Sequence, residues 1–563
     1  MMAPGTSIRR REVSFWLALI VLCAAFFALS TRWLGFYAWG IDEGMYLMRA
    51  RMMGEGFALY RDIWFNHPPL LVLLVRAMFD VRGESVEAAR LVPLACATLG
   101  LAATVVVARA LGGWRAGFAA GVLLVLSPLY FTLSRAVMAT LPALSLAMVS
   151  VALMIGYRAA ARDGRRMWAT AAILTSGLAF GVGLAIKLIA LPWLVPLALL
   201  ALDGHLGGGR EDARRAAWRA PRAWPWGRIV VDALVWAVAA AAPLAWVVAV
   251  YGVGAVAAQA VGSLVTARAE FGFDLRWNVA KLLEAGVEGQ LGVVVLGVFG
   301  WAFGSARRAA MHAPSTPVGG IAHVTHDHRS QDRTGLWRIV AVWLLIGLAA
   351  VLLHSPVWSH HYMILFYPLA VAAGCGFWGV VDIVRPALRG LGRRRSDEAR
   401  AAAEADRDAG WRAFAFTVAG AALLSLPVQA ERLVSSTQAW TWDDAAGEAI
   451  ARLGDVAQPG DYVITDSPMI AFRAGLNVPP DLCDPGKKRI DSGELTVDDV
   501  LADIERFQPS AVLFWEQRLS RGPFGGFPAA LEGAGYERVA ELDVREERWL
   551  YASPAAQGRG TAP

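Results

Sequence analysis

Cysteine and lysine are both scarce here, with four of each in 563 residues. Cys23, Cys96 and Cys375 lie inside apolar runs and Cys483 stands alone near the C-terminus. No CxxC occurs, which argues against zinc fingers, a disulfide framework and dithiol chemistry. Acidic residues are almost absent from the long apolar stretches, and no internal repeat is evident. A secondary transporter usually shows both features, with ionisable groups at the bilayer midplane and broken, repeated helices. The C-terminal part also has no Gly-rich phosphate turn. What the chain has in abundance is apolar sequence, at 56% hydrophobic residues and a mean hydropathy of +0.45. Its net charge of +6 sits largely in short loops between apolar runs, a topology signal rather than a nucleic-acid footprint. The basic residues are 49 arginines to four lysines, with abundant alanine, a composition that fits a GC-rich bacterial source.

The apolar runs fall at about 14–31, 86–108, 115–133, 138–157, 168–184, 187–203, 229–250, 289–304, 338–353, 362–383 and 412–430. Each approaches the length that crosses roughly 30 Å of hydrocarbon as a helix, and none alternates with the period of a barrel strand. The expectation is an all-α polytopic membrane protein of about eleven transmembrane helices. Arg9, Arg10 and Arg11 before the first run read as an uncleaved signal anchor with the N-terminus cytoplasmic. A twelfth stretch, Pro68 to Phe79, is too short to cross. Leaving it outside places Arg109 and Arg115, Arg158 to Arg166, Arg210 to Arg228, Arg307, Arg308 and Arg393 to Arg395 on the cytoplasmic side, as short Arg-rich loops require. Pro68 to Phe79 is then an interfacial or re-entrant helix. Residues 32–85, the turn near Arg135, loop 251–288 and turn 354–361 gather on the extracytoplasmic face of the plasma (inner) membrane.

Residues 1–430 therefore form the membrane domain, and 431–563 a soluble extracytoplasmic α/β domain with a disordered tail from about 555. Asp461 to Asp466, Ala511 to Trp515 and Glu547 to Tyr551 read as strands, Val497 to Phe507 and Phe527 to Gly533 as helices, and Pro479, Pro480 and Gly486 as a loop. Asp466 after a strand is weak evidence for chemistry, and an accessory domain is the plainer reading. His312, His323, His326 and His328 lie in a Pro- and Gly-containing linker rather than in a metal site. The stretch 385–410 reads as a solvated amphipathic segment near the bilayer.

Asp42 and Glu43 follow the first run directly, in an aromatic setting where carboxylates are costly unless hydrated, paired or functional. A helix cap is the plainer role for Asp42. Tyr46 and Ala50 follow, then Gly56 to Asp62 and His67-Pro68-Pro69-Leu70, Arg90 after a Gly-x-Ser element, Lys187 at a run boundary, and His361-Tyr362 with Pro368 six residues on. This order, over about residues 12–430, resembles the GT-C class of membrane glycosyltransferases, the protein O-mannosyltransferase and aminoarabinose transferase-like superfamily. Such proteins open with one span and an outer loop headed by an Asp-Glu pair. One departure is Thr140, which stands where an acidic residue is expected a few positions after Arg135. It leaves the second-carboxylate role empty and any divalent metal open.

The resemblance implies transfer of a sugar from a polyprenyl-phosphate carrier to a protein, lipid or polysaccharide acceptor, with inversion. Asp42 is then the expected general base, and Glu43 holds a metal or orients the acceptor. Tyr46, His67, Arg135, Lys187, His360, His361 and Tyr362 are the expected substrate-binding residues, the cationic ones offsetting phosphate charge. Plainer readings stand beside these: Arg135 and Lys187 as snorkelling span ends, and His360, His361 and Tyr362 as interfacial residues beside Trp358. A flippase or transporter of lipid-linked sugars is the alternative function.

Overall fold

The computed structural model describes residues 4–35, 40–206, 224–262, 265, 272–311, 328–355, 357–390, 400–437, 444–543 and 546–557. Several expectations lie outside the described residues: the Arg-rich segment from Arg210 to Arg222, the linker histidines His312, His323 and His326, Arg393 to Arg395, and residues 558–563. The chain is still helical at Pro554–Gln557, where a disordered tail was expected to have begun.

The first third of the chain contains α1 (Pro4–Thr31), α2 (Gly40–Gly54), α3 (Leu70–Arg82), α4 (Val86–Gly112), α5 (Trp114–Val125), α6 (Pro128–Leu133), α7 (Thr140–Arg162), α8 (Arg166–Ile186) and α9 (Leu194–Leu206). Five long helices follow: Trp226–Tyr251, Leu291–Met311, His328–Leu352, Met363–Gly390 and Arg400–Ser435. Every apolar run is thus helical. Among the described residues, nine helices are long and apolar enough to cross a membrane, while α5 and the apolar part of the Leu291 helix are shorter. The run 115–133, expected as one span, divides into α5 and α6. Pro128 starts α6 because it has no N–H to continue α5, and the Ser127 hydroxyl caps the new helix by accepting from the Tyr130 N–H at 3.3 Å. The helices pack closely through small residues, as membrane helices do. A Cβ at Gly300 would lie 2.1 Å from the Ala372 carbonyl oxygen, and one at Gly376 2.0 Å from that of Leu296.

One break in this bundle matters for the site. Lys187 adopts extended backbone (φ −159°, ψ 136°) between α8 and the 3-10 turn Leu188–Trp193 that leads into α9. Two apolar helices therefore meet at a single cationic residue.

The C-terminal domain is a four-stranded sheet in the order β1-β2-β4-β3. Its strands are β1 (Val463–Thr465), β2 (Ala511–Phe514), β3 (Glu537–Asp543) and β4 (Arg548–Ala552). β1 and β2 pair parallel, Val463 opposite Ala511, and the remaining pairs are antiparallel. One face packs with helix Val497–Phe507 through Val500 and Ile504. The other shares one apolar core with the segments between α1 and α4: Leu47, Val72, Val75 and Phe79 of α2 and α3 lie in a single cluster with Val463, Met469, Phe472 and Leu513. Phe79 stacks on Phe472 at 5.7 Å. β3 was not expected, because its residues are mostly exposed and carry little apolar alternation.

Candidate active site

α2 distributes its side chains over three faces. Asp42, Met45, Tyr46 and Arg49, spaced three or four apart, line a cavity of about 980 Å³. Glu43, one residue on from Asp42, turns into the membrane helices. Gly44 meets the C-terminal domain so closely that a Cβ there would lie 2.4 Å from the Met469 backbone nitrogen. Arg51, on that same side, donates to the Leu476 and Phe472 carbonyls at 2.9 and 3.1 Å.

The cavity gathers much of the expected site. Asp42, Tyr46, His67, Lys187, His360 and His361 all line it. α2 begins at Gly40, so Asp42 sits inside the first turn rather than capping it, and its carboxyl opens onto the cavity. Burial within the protein raises the Asp42 pKa, and the neighbouring Asp484 raises it further; Lys187, Arg518 and Arg49 oppose this. Lys187 responds in the other direction. Burial brings its ammonium down to about 8, against the attraction of Asp42, and Lys488 lowers it further. The Lys187 Nζ donates to the Thr140 hydroxyl at 3.1 Å. The residue standing where an acid was expected is therefore a neutral partner of the cavity's lysine. His67 is held well below its usual value by burial and by Lys187, Arg49 and Lys488, so its imidazole is neutral at pH 7. Its loop is fixed in turn: the Tyr60 hydroxyl donates to the His67 carbonyl at 2.6 Å, and Gln259 binds both the Phe65 N–H and the Tyr60 carbonyl.

Three expected site residues lie elsewhere. Glu43 forms a two-armed ion pair with Arg90 at 2.8 and 2.6 Å, and its carboxylate also accepts from the Val137 N–H. Both side chains are fully buried, so Glu43 holds α2 to α4 instead of facing an acceptor. Arg135 is buried as well, donating to the carbonyls of Phe131, Trp33 and Ser436, and it does not line the cavity. Tyr362 is packed into the core of the membrane helices, while its neighbours His360 and His361 reach the cavity.

Sequence reasoning missed the part of the cavity wall that the C-terminal domain supplies. The C-terminal domain contributes Asp484, Lys487, Lys488, Arg489 and Arg518. Arg49 of α2 pairs with the buried Asp484, and Arg489 covers the Trp64 ring at 4.8 Å. Three of the chain's four lysines (Lys187, Lys487 and Lys488) line this one cavity. Lysine scarcity was the available signal, and it was not read by position.

As for a metal, no group of three or more His, Cys, Asp or Glu side chains is arranged to hold one among the described residues. His354, His360 and His361 pack ring edge to ring face, with centroids 4.3 Å apart in each adjacent pair. The His361 Nδ1 accepts from the Trp358 N–H at 3.2 Å, which leaves Nε2 to carry the ring proton.

The dolichyl-phosphate-mannose-protein mannosyltransferase family matches residues 66–210 of the chain. Among solved structures, the crystal structure of apo ArnT from Cupriavidus metallidurans superposes with a TM-score of 0.58 at 14% identity, over 96% of this chain and 98% of that one. The same protein bound to undecaprenyl phosphate gives 0.57 at 15% identity, with the same coverage. The fold is that of the GT-C membrane glycosyltransferases. The family match within this GT-C fold runs from the residue before His67 past α9 and includes Lys187, so part of the cavity wall lies inside it. No curated protein matches the chain by sequence.

Proposed function

We propose that this protein transfers a sugar from a polyprenyl-phosphate-linked donor to a hydroxyl acceptor on the extracytoplasmic face of the plasma membrane. One observation carries the reading: Asp42, a carboxyl with a raised pKa, and Lys187, at the break between α8 and α9, face the same cavity. Asp42 accepts the proton of the acceptor hydroxyl as that oxygen attacks the anomeric carbon. The bond from that carbon to the phosphate oxygen breaks, polyprenyl phosphate leaves with the bonding electrons, and direct displacement inverts the anomeric centre. Lys187 offsets the charge that develops on the departing phosphate. His67, His360 and His361 offer ring nitrogens for hydrogen bonds to sugar hydroxyls. The cavity volume suits a sugar with its phosphate, and the bound undecaprenyl phosphate of ArnT makes the donor class concrete.

The Arg-rich short loops support a cytoplasmic N-terminus, and the length of α3, thirteen residues and roughly 20 Å, supports a reading in which it does not cross and lies on the outer side with the C-terminal domain. The test is reconstitution in proteoliposomes with radiolabelled polyprenyl-phosphate sugars and a membrane extract as acceptor source. The wild type is expected to form covalent product, and Asp42→Asn, still inserted and folded, to form none. Transfer by Asp42→Asn rejects the base assignment. Movement of labelled lipid across the bilayer without any covalent product selects a flippase instead.

A further inference from the structure

Asp466 follows β1 and is almost completely enclosed. Its carboxylate accepts from four backbone N–H groups of a single turn: Trp515 at 2.8 Å, Glu516 at 2.9 Å, Arg518 at 2.8 Å and Leu519 at 3.5 Å. Inside that turn Gln517 adopts the left-handed region at φ 61°. A non-glycine residue there is strained, and such strain persists only where its surroundings over-determine it. A buried carboxylate collecting charge-assisted bonds supplies that constraint. The turn it shapes carries Arg518 to the cavity wall.

The charge of the cavity gives Arg518 a use. Six cationic side chains line it (Arg49, Lys187, Lys487, Lys488, Arg489 and Arg518) against two carboxylates, Asp42 and Asp484. Arg49 is committed to Asp484, and Arg489 to Asp481 and to the Asp484 carbonyl. The six cations come from both domains, so the full positive charge of the cavity is assembled only when the two are docked. A concentration of this kind is stabilised by an anion, and a guanidinium suits phosphate oxygens better than an ammonium does.

Resting on the reaction proposed above, we propose that Arg518 and Lys488 of the C-terminal domain complete, with Lys187, a binding site for the phosphate group of the lipid-linked substrate. Asp466 is the positioning residue that aims Arg518 into it. The C-terminal domain is then part of the substrate site rather than a cover over it.

The test is a fluorescence titration of full-length protein in phosphatidylcholine nanodiscs with polyprenyl phosphate. Arg518→Gln is expected to weaken binding by about tenfold, the scale of one hydrogen bond to a charged group, and Arg518→Lys to recover part of it. Asp466→Asn is expected to weaken binding in the wild-type background and to add nothing in the Arg518→Gln background, since the two act as one unit. A merely structural Asp466 adds its loss in both backgrounds. Competition by inorganic phosphate that disappears in Arg518→Gln supports the phosphate group as the ligand. Affinities of Arg518→Gln and wild type within about twofold, the scatter of independent sites, overturn the proposal. So does equal displacement of polyprenyl phosphate by phosphatidylglycerol, which makes the site a general headgroup dock. The readout is binding, not transfer. An active Asp42→Asn with binding lost in Arg518→Gln therefore refutes the base assignment and leaves this site, and an inactive Asp42→Asn with binding kept in Arg518→Gln refutes the site and leaves the base assignment.

Discussion

Glu43 and Arg90 form a two-armed ion pair that water does not reach, with contacts of 2.8 and 2.6 Å between helices 47 residues apart in the chain. Arg90 also donates to the Leu34 carbonyl, so the pair ties the end of α1, the start of α2 and α4 together. Removing one partner strands a buried charge, which typically costs about 3–5 kcal/mol. Glu43→Gln is therefore expected to lower the thermal midpoint and the yield of monodisperse protein in detergent. The double variant Glu43→Gln/Arg90→Met, with no stranded charge, is expected to regain most of that loss. A Glu43→Gln protein of wild-type stability but without transfer activity returns Glu43 to the chemistry.

Asp42 and Lys187 are expected to set the pH profile of transfer. The Asp42 pKa is raised, so activity is expected to fall on the acid side as the base is protonated through that raised pKa. The Lys187 cation is lost as pH rises through about 8. The expected kcat/KM profile is bell-shaped, with its alkaline limb near 8. Thr140→Asp places a carboxylate on Lys187, which favours the ammonium. The alkaline limb should move to higher pH, and an unmoved limb removes Lys187 from the profile.

Docking of the C-terminal domain depends on a glycine. A Cβ at Gly44 would stand 2.4 Å from the Met469 nitrogen and 2.8 Å from its Cα, both backbone atoms that cannot swing aside. Gly44→Val is expected to lift the domain from α2 and to make it more readily cleaved by protease. Transfer activity should fall while the membrane helices stay folded. Limited proteolysis with the wild-type pattern contradicts this.

Much of this architecture is written locally in the chain. Each apolar run became a helix because hydrocarbon allows the backbone no other single-segment solution, and α3 was legible as too short to cross. Asp42, Lys187 and the two histidines were legible as a group because topology alone sends their loops to one face. The place of Glu43 was not legible, since a carboxylate next to Asp42 looks identical in sequence, while the helical turn of about 100° sends it to Arg90. The place of Arg135 was not legible because it donates to backbone carbonyls of Trp33 and Ser436, to which no side-chain pattern points. The C-terminal wall was hidden for a third reason: Asp484 meets Arg49 across 435 residues of chain. A loop marked by Pro479, Pro480 and Gly486 gave the place of the turn but not what it faces.

The most direct measurement is a cryo-EM structure of the full-length protein in nanodiscs with polyprenyl phosphate. The expected phosphate density lies inside the cavity, with an oxygen within about 4 Å of the Lys187 ammonium, an ion-pair distance, and with Asp42 on the same cavity wall. Phosphate density at the lipid-facing surface, outside the space between α2, Lys187 and the C-terminal domain, contradicts the account.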